Sequence, residues 1–233
     1  MNYTQVIALL KANKNEKGIH QWNQRKIKAK KLKSYGIGLT ILRKLSKQIG
    51  RDHALALQLW ESNIYDAKII GLLIDEPKKI SRAQAEMQVE HLNQGHLAHV
   101  FSSCDASLAK TPFVVELAIE WINSKDNMRK RCGYGLLYEV SKSKKKTAPD
   151  DAFFLEQIEL IRNSYNMQHL GVLGSMGGAL LGIGKRNIKL NAAALEVAKL
   201  IGPIPIKIEG SICEPFNVVK HLTSDYIKEK LGI

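Results

Sequence analysis

The chain has 233 residues, with 35 lysines and arginines against 22 acids, for a formal net charge of +13. At 45% hydrophobic and 24% charged it has ample apolar content for a buried core, which excludes intrinsic disorder; no apolar run reaches the length needed to span a bilayer. Three cysteines (Cys104, Cys132, Cys213), an odd number without CxxC spacing, argue against a disulfide framework or a structural zinc site and predict reduced thiols; Cys104 and Cys132 read as small buried hydrophobes.

In chain order, Val6, Ile7, Leu9 and Leu10 form the apolar stripe of a first helix ending near Asn13. A second helix is predicted from Lys17 to Lys33, stopping at Tyr35-Gly36. Leu39, Leu42, Leu45 and Ile49 mark a third, closed by Gly50. Asp52 is the predicted N-cap of a fourth, and Ser62 or Asn63 that of a fifth, which Pro77 breaks. Ser81 with Gln84 reads as a capping box for the next. Further helical patterns cover 93–101, 112–123, 127–141, 150–162, 166–184, 189–201 and 217–231. Strand-like alternation occurs at Ile204, Ile206 and Ile208, predicting a short β-hairpin or extended loop. Helices of about 10–16 residues whose pairs recur about every 35–45 residues have the rhythm of a HEAT-like α-solenoid, an all-α curved superhelix of antiparallel helix pairs. The expectation is one domain over residues 1–233, with a strongly basic helical part at 1–50.

The basic excess is concentrated there. Residues 1–50 hold 12 lysines and arginines and one acid, Glu16. A one-signed run of this length predicts a polyanion partner, since each neutralised phosphate releases condensed counterions. A membrane surface would need a broad apolar face opposite the lysines, and Ile27, Ala29 and Leu32 are a thin one. A solvated face kept for solubility is the simpler alternative. Lys142, Lys144, Lys145 and Lys146 form a second basic run, either a phosphate contact or a solvated linker.

Four segments resemble the HEAT-like-repeat DNA alkylation repair (AlkD-like) family, over about Tyr35 to Leu222. They are YGIGLTILRKLSKQI with LALQLWESNIYDAKIIGLLI; FSSCDASLAK; WINSKDNMRKRCGYGLLYEV; and MGGALLGIGKRNIKLNAAALEVAKLIGP. The resemblance implies a stack of helical pairs with DNA in a concave groove. It also implies a chemistry, the removal of cationic N3- or N7-alkylpurines, in which a carboxylate stabilises an oxocarbenium-like transition state and aromatic rings pack on the nucleotide. Asp105 stands where the family places its carboxylate, and is equally well placed as a helix N-cap. Phe101 stands where the family carries an aromatic, and is equally a core residue. Arg131, flanked by Arg129 and Lys130, falls near the family's phosphate-binding arginine.

The departure is at Met176-Gly177-Gly178, where glycosylase members carry an aromatic pair. Six glycines between Gly171 and Gly184 cost about 0.5–1 kcal/mol each relative to alanine, which calls for close helix packing or close approach of a phosphate backbone. Trp22, Trp60 and Trp121 lie elsewhere and read as core or helix-end residues. The chain therefore resembles a divergent, AlkF/AlkG-like branch without the full set of glycosylase aromatics.

The reading is a DNA-binding protein that grips the backbone through Arg43, Lys44, Phe101, Arg129, Arg131, Lys185 and Arg186, with a preference for branched or distorted DNA and Asp105 vestigial. The alternative is an active alkylpurine DNA glycosylase using Asp105; a protein–protein scaffold is a third. The segment Pro203–Glu214 is either a wedge for branched DNA or an ordinary edge loop. His91, His96, His99 and Glu90 are at metal-compatible spacing but lack a second suitable carboxylate. No metal, cofactor or membrane partner is expected, and the expectation is a cytoplasmic, nucleoid-associated monomer.

Overall fold

The helices begin where the sequence supplies caps. In the structure, a computed structural model describing residues 1–25, 32–205, 207–208, 211–212 and 214–233, Asn2 caps α1 (Tyr3–Ala12) in a complete capping box with Gln5. Asn15 caps α2 (Glu16–Gln24), and α3 (Leu39–Ile49) ends at Gly50. Asp52 accepts the Leu55 N–H at 3.0 Å to start α4 (His53–Glu61), as predicted. The fifth helix, α5 (Tyr65–Ile74), differs from expectation: Ile64 occupies its cap position, and the Ser62 hydroxyl accepts the Ile64 N–H instead.

Ser81 caps α6 (Arg82–Val89), but only half of the predicted box forms. The Gln84 side chain turns away to the Asp75 carboxylate at 2.7 Å. The order continues through α7 (Leu97–Ser102), α8 (Val114–Ile122), α9 (Asn127–Ser141), α10 (Asp151–Ser164), α11 (Leu170–Gly184) and α12 (Ile188–Ile201). The last predicted helix is two, α13 (Val218–Leu222) and α14 (Asp225–Leu231), parted at Thr223 and Ser224.

The chain is all-α apart from one two-stranded antiparallel hairpin among the described residues, Lys207 pairing with Ile212 and Ile208 with Ser211. Its base is closed by reciprocal backbone bonds between Ile204 and Phe216 at 2.9 and 2.8 Å. Much of the predicted wedge segment, at 206, 209, 210 and 213, lies outside the described residues, and Cys213 with it.

The second helix is the main correction. It ends at Gln24 rather than Lys33, and Arg25 is already extended. Residues 26–31, most of the basic run Arg25–Lys33, lie outside the described residues. From Leu32 to Gly38 the chain is non-helical for reasons that override helical periodicity. The Trp22 indole donates to the Leu32 carbonyl at 2.8 Å. The Lys33 N–H donates to Asn63 O, and the Tyr65 N–H donates to Lys33 O. Asp66, fully buried in the first turn of α5, accepts from the Ser34 hydroxyl (2.9 Å), the Tyr35 N–H (2.7 Å) and the Ile37 N–H (3.1 Å). One carboxylate thus satisfies two backbone donors that no helix would satisfy.

Two compact units result, Met1–Pro112 and Phe113–Ile233. In the first, α4 and α5 pack as a pair, joined by three residues and so antiparallel, and α1 and α3 pack on α5. Its core includes Leu10, Leu59, Trp60, Ile69, Ile70 and Ile74. In the second, α8 and α9 pair, α11 packs on α9, and α12 packs on α10 and α11 around Leu137, Phe154, Ile158, Leu180 and Val197. Trp22, Trp60 and Trp121 are all core residues, as their positions predict. No described helix is long and apolar enough to cross a membrane.

Candidate nucleic-acid interface

In the first unit, Arg43 and Lys44 sit side by side on α3. Neighbouring Leu42 and Leu45 face the core, which turns the two cations outward. Lys44 is exposed. The Arg43 guanidinium meets Asp105, Nη2 to Oδ2 at 2.8 Å, with the two side chains 42% and 58% exposed. Two sequence-predicted site residues 62 positions apart are therefore in direct contact.

Asp105 is not a helix N-cap. It occupies the left-handed region at φ +61°, immediately after Cys104, also at φ +61°. The Ala106 N–H closes this tight turn on the Ser103 carbonyl at 3.1 Å. Left-handed residues at both central positions are what a primed turn requires, and a cysteine there costs about 1–2 kcal/mol that Asp or Gly would largely avoid. Cys104 is half-buried, so the reading of it as a buried hydrophobe holds only for Cys132.

The strained turn is held from below. Arg51 donates through Nη1 to both the Asp75 carbonyl and the Ser107 hydroxyl. The Asp75 carboxylate is itself buried and takes His53 Nδ1 at 2.7 Å and Gln84 Nε2 at 2.7 Å. This network fixes Ser107, two residues beyond Asp105. Sequence reasoning missed it, because its members come from four separate elements and none lies in a motif.

Phe101 requires a correction. It is 2% exposed, packed in the core of its unit at the end of α7, and presents no ring face to a ligand. The position four residues before Asp105 on a helix end puts its side chain on the inward stripe, beside Leu97 and Val100.

In the second unit, Arg129, Lys130 and Arg131 open α9, whose N-cap is Asp126. Arg129 pairs with Asp126 at 3.8 Å, and Lys130 reaches Gln168 at 3.5 Å. Arg131 is half-buried and makes no ion pair among the described residues. Its aliphatic stem lies 3.9 Å from where a Cβ at Gly171 would stand.

The glycines of α11 divide into two classes. A Cβ at Gly177 would lie 2.7 Å from Ile204 and 3.0 Å from Phe216, so this glycine lets the hairpin base seat on the helix. Gly182 and Gly184 admit Tyr138 and Leu222 in the same way, each at under 3 Å. Gly174 and Gly178 meet nothing within 4 Å: they leave bare backbone on an open face, one and two turns beyond Gly171 and Arg131. The ring that packs at Met176-Gly177-Gly178 is Phe216, from the base of the hairpin.

Arg186 is engaged within its own unit. Its guanidinium donates to the Ser141 carbonyl at 2.6 Å and the Ser143 carbonyl at 3.2 Å, and lies 4.4 Å over the Phe154 ring. It caps the C-terminal end of α9 and is tied into packing. Lys185, the C-cap of α11, remains half-exposed, its pKa pushed below the usual lysine value by burial and by the neighbouring Lys230 charge.

The quoted resemblance in YDAKIIGLLI has a structural explanation. Asp66 ties down the 34–37 segment, and Lys68 donates to the Trp60 carbonyl while lying 4.4 Å from the Trp60 ring. Burial lowers the Lys68 pKa and raises that of Asp66. Among the described residues no group of three His, Cys, Asp or Glu side chains could hold a metal ion.

Residues 6–203 match the family described as DNA alkylation repair enzyme. An uncharacterized protein of Listeria innocua is 22% identical over 191 residues, and one of Listeria monocytogenes 26% identical over 200 residues; each alignment covers 81% of both chains. A solved structure superposes with a TM-score of 0.79 at 19% identity, covering 100% of this chain and 97% of the other. That structure is described as representing a new family of proteins related to the HEAT-like repeat DNA glycosylases with affinity for branched DNA structures. The likeness shows that the two share a HEAT-like repeat fold.

Proposed function

The chain belongs to the DNA alkylation repair enzyme family, and on that premise we propose that it binds DNA through backbone phosphates, favours branched or distorted duplexes, and does not excise bases. The observation that carries this reading is the burial of the three tryptophans and of Phe101, the ring that precedes Asp105. Phe101, Trp22, Trp60 and Trp121 are each 4% exposed or less, so none of them can pack against a cationic base or its sugar. Excision of an alkylpurine needs the damaged nucleotide held beside a carboxylate, and these four rings are too buried to hold it beside Asp105.

The basic side chains remain suited to phosphate. Arg43 and Lys44 in one unit, and Arg131 and Lys185 in the other, stand at half-exposed or exposed positions. Arg43 can exchange the Asp105 carboxylate for a phosphate, since both accept the same charge-assisted bonds. The bare backbone at Gly174 and Gly178 leaves room for a sugar-phosphate chain near Arg131. The affinity for branched DNA described for the structural relative supports the same preference here.

The test combines binding and chemistry. Affinity for a linear duplex and a four-way junction is followed by fluorescence anisotropy from 50 to 300 mM salt, and free base released from N3- and N7-methylated duplex is quantified. Tighter junction binding, steep salt dependence and no base release are expected. Base release that disappears in Asp105→Asn would establish the glycosylase instead. Salt-insensitive or absent DNA binding would leave the protein–protein scaffold.

A further inference from the structure

Cations converge on one cavity inside the second unit that lies apart from Arg131 and the open glycine face. It has a volume of about 510 Å³ and is formed where α9, α11 and α14 all end. Lys142 is the C-cap of α9, Lys185 is the C-cap of α11, and Lys230 lies in the last turn of α14. Lys144, Arg186 and Tyr138 complete the basic wall.

Capping explains part of this arrangement. Arg186 spends its Nη1 on the α9 carbonyls, and Lys230 Nζ donates to the Lys185 carbonyl at 2.8 Å. Lys142 is bound to Glu139 at 2.6 Å. That leaves the Lys185 and Lys144 ammonium groups, and among the described residues no acid lines the cavity. The nearby carboxylate of Asp151 is occupied by Asn187 Nδ2 at 2.8 Å. Lys230 Nζ stands on the backbone carbonyl of Lys185, which brings a second positive charge near the Lys185 side chain. A protein gathers unpaired like charges in a concavity at a cost in stability, and a bound anion relieves it.

The packing that builds the cavity is specific. Only glycine fits at 182, where a Cβ would lie 2.7 Å from the Tyr138 ring, so α9 and α11 close tightly enough to bring their C-termini together. Asn187, also in the wall, caps α12 through the Leu190 N–H, which fixes the turn carrying Lys185 and Arg186.

We propose that this cavity binds the phosphate monoester of a nucleotide, carried on a DNA end or on a free nucleotide. A volume of this size holds a nucleotide rather than a bare ion. Several cations at one focus match a dianion that enters end-on. An internal phosphodiester carries one charge and continues on both sides, and it is served better by an open face such as that beside Arg131. The DNA-end form of the inference rests on the DNA-binding function proposed above; the free-nucleotide form does not. Lys185 then titrates as part of the site, its depressed pKa rising when the anion arrives.

The experiment compares hairpin duplexes that differ only in carrying a 5′-phosphate, a 3′-phosphate or hydroxyl ends, using full-length protein and anisotropy at fixed salt. In parallel, inorganic phosphate and deoxyadenosine 5′-monophosphate are titrated while the melting temperature is followed. A phosphorylated end bound at least fivefold tighter than a hydroxyl end, with the difference abolished in Lys185→Ala and reduced in Lys144→Ala, is expected. Lys144 lies on an exposed loop, so the second variant tests the site even if the first is poorly folded. Equal affinity for all ends, together with melting stabilised by the mononucleotide in wild type but not in Lys185→Ala, supports the cavity and assigns it to a free nucleotide. DNA binding without end preference and without a mononucleotide effect overturns the cavity and leaves the proposed function standing. No DNA binding, with the mononucleotide effect intact, overturns the function and leaves the cavity standing.

Discussion

Replacing Asp105 by asparagine separates three roles that one carboxylate can play, because each predicts a different sign. The Arg43–Asp105 pair is 2.8 Å long but about half exposed on both sides, so removing it costs about 0–1 kcal/mol of stability. Asparagine tolerates the left-handed conformation at φ +61° nearly as well as aspartate, so the backbone adds no penalty. Alanine at the same position pays about 1–2 kcal/mol for that conformation, so Asp105→Ala should melt below Asp105→Asn, with Asp105→Gly at or above it. On DNA the sign reverses. A phosphate taking the place of the carboxylate on Arg43 would lie about 7 Å from Asp105. At an effective dielectric constant of about 60 the repulsion is about 0.8 kcal/mol, or about a fourfold affinity gain when the charge is removed. The freed arginine also steepens the log–log salt dependence by up to about 0.9. Anisotropy with a linear duplex at several salt concentrations, beside thermal melts of the three variants, reads both effects. If Asp105→Asn binds DNA more weakly than wild type, the carboxylate makes a favourable contact with DNA and the argument from repulsion is wrong.

Other residues give further checks. Arg131→Ala should weaken duplex binding by about 1–2 kcal/mol, the scale of a lost charge-assisted contact, with no comparable loss of melting temperature; equal affinity would remove Arg131 from the interface. Asp66→Ala should destabilise the protein by about 2–4 kcal/mol in urea unfolding, because two backbone donors and the Ser34 hydroxyl lose a buried acceptor; a loss under 1 kcal/mol would mean that the 34–37 segment finds other partners. Gly177→Ala should cost about 1–3 kcal/mol through overpacking against Ile204 and Phe216, whereas Gly174→Ala, with nothing within 4 Å, should gain about 0.5–1 kcal/mol; similar effects at both sites would contradict the packing described. Burial pushes Tyr134 from 10.0 up to about 12, against a weaker opposing hydrogen bond with Ser164. The unfolded chain therefore releases this proton first, so between about pH 10 and 12 stability should fall by about 1.4 kcal/mol per unit from this group. Urea unfolding of wild type and Tyr134→Phe across that range isolates the slope, and identical slopes would show that Tyr134 is not protected.

Local chemistry made most helices legible. Asp52, Ser81 and the glycine at 50 mark helix ends by bonds that reach only three or four residues, and the apolar stripe of α3 lies within a single element. The family resemblance came from the same kind of local order, and the match over residues 6–203 agrees with it. The charge excess of the first 50 residues needed only counting. What periodicity could not show was where long-range partners take over. The helical pattern continues past Gln24, but Trp22, Asn63 and Asp66 offer the chain from Leu32 to Ile37 better bonds when it is not helical. The stripe through 217–231 continues across Ser224, where the chain nevertheless divides into two helices. Side-chain roles followed the same division. Phe101, Asp105 and Arg186 are candidate ligands by position, and only the fold shows Phe101 buried, Asp105 in a left-handed turn and Arg186 on two carbonyls 43–45 residues away. The basic cavity draws on residues from Tyr138 to Lys230, each unremarkable in its own helix. Helix formation is governed by neighbours a turn away, so sequence alone determined it; charge focus and side-chain burial depend on which helix ends meet, and only packing decides that.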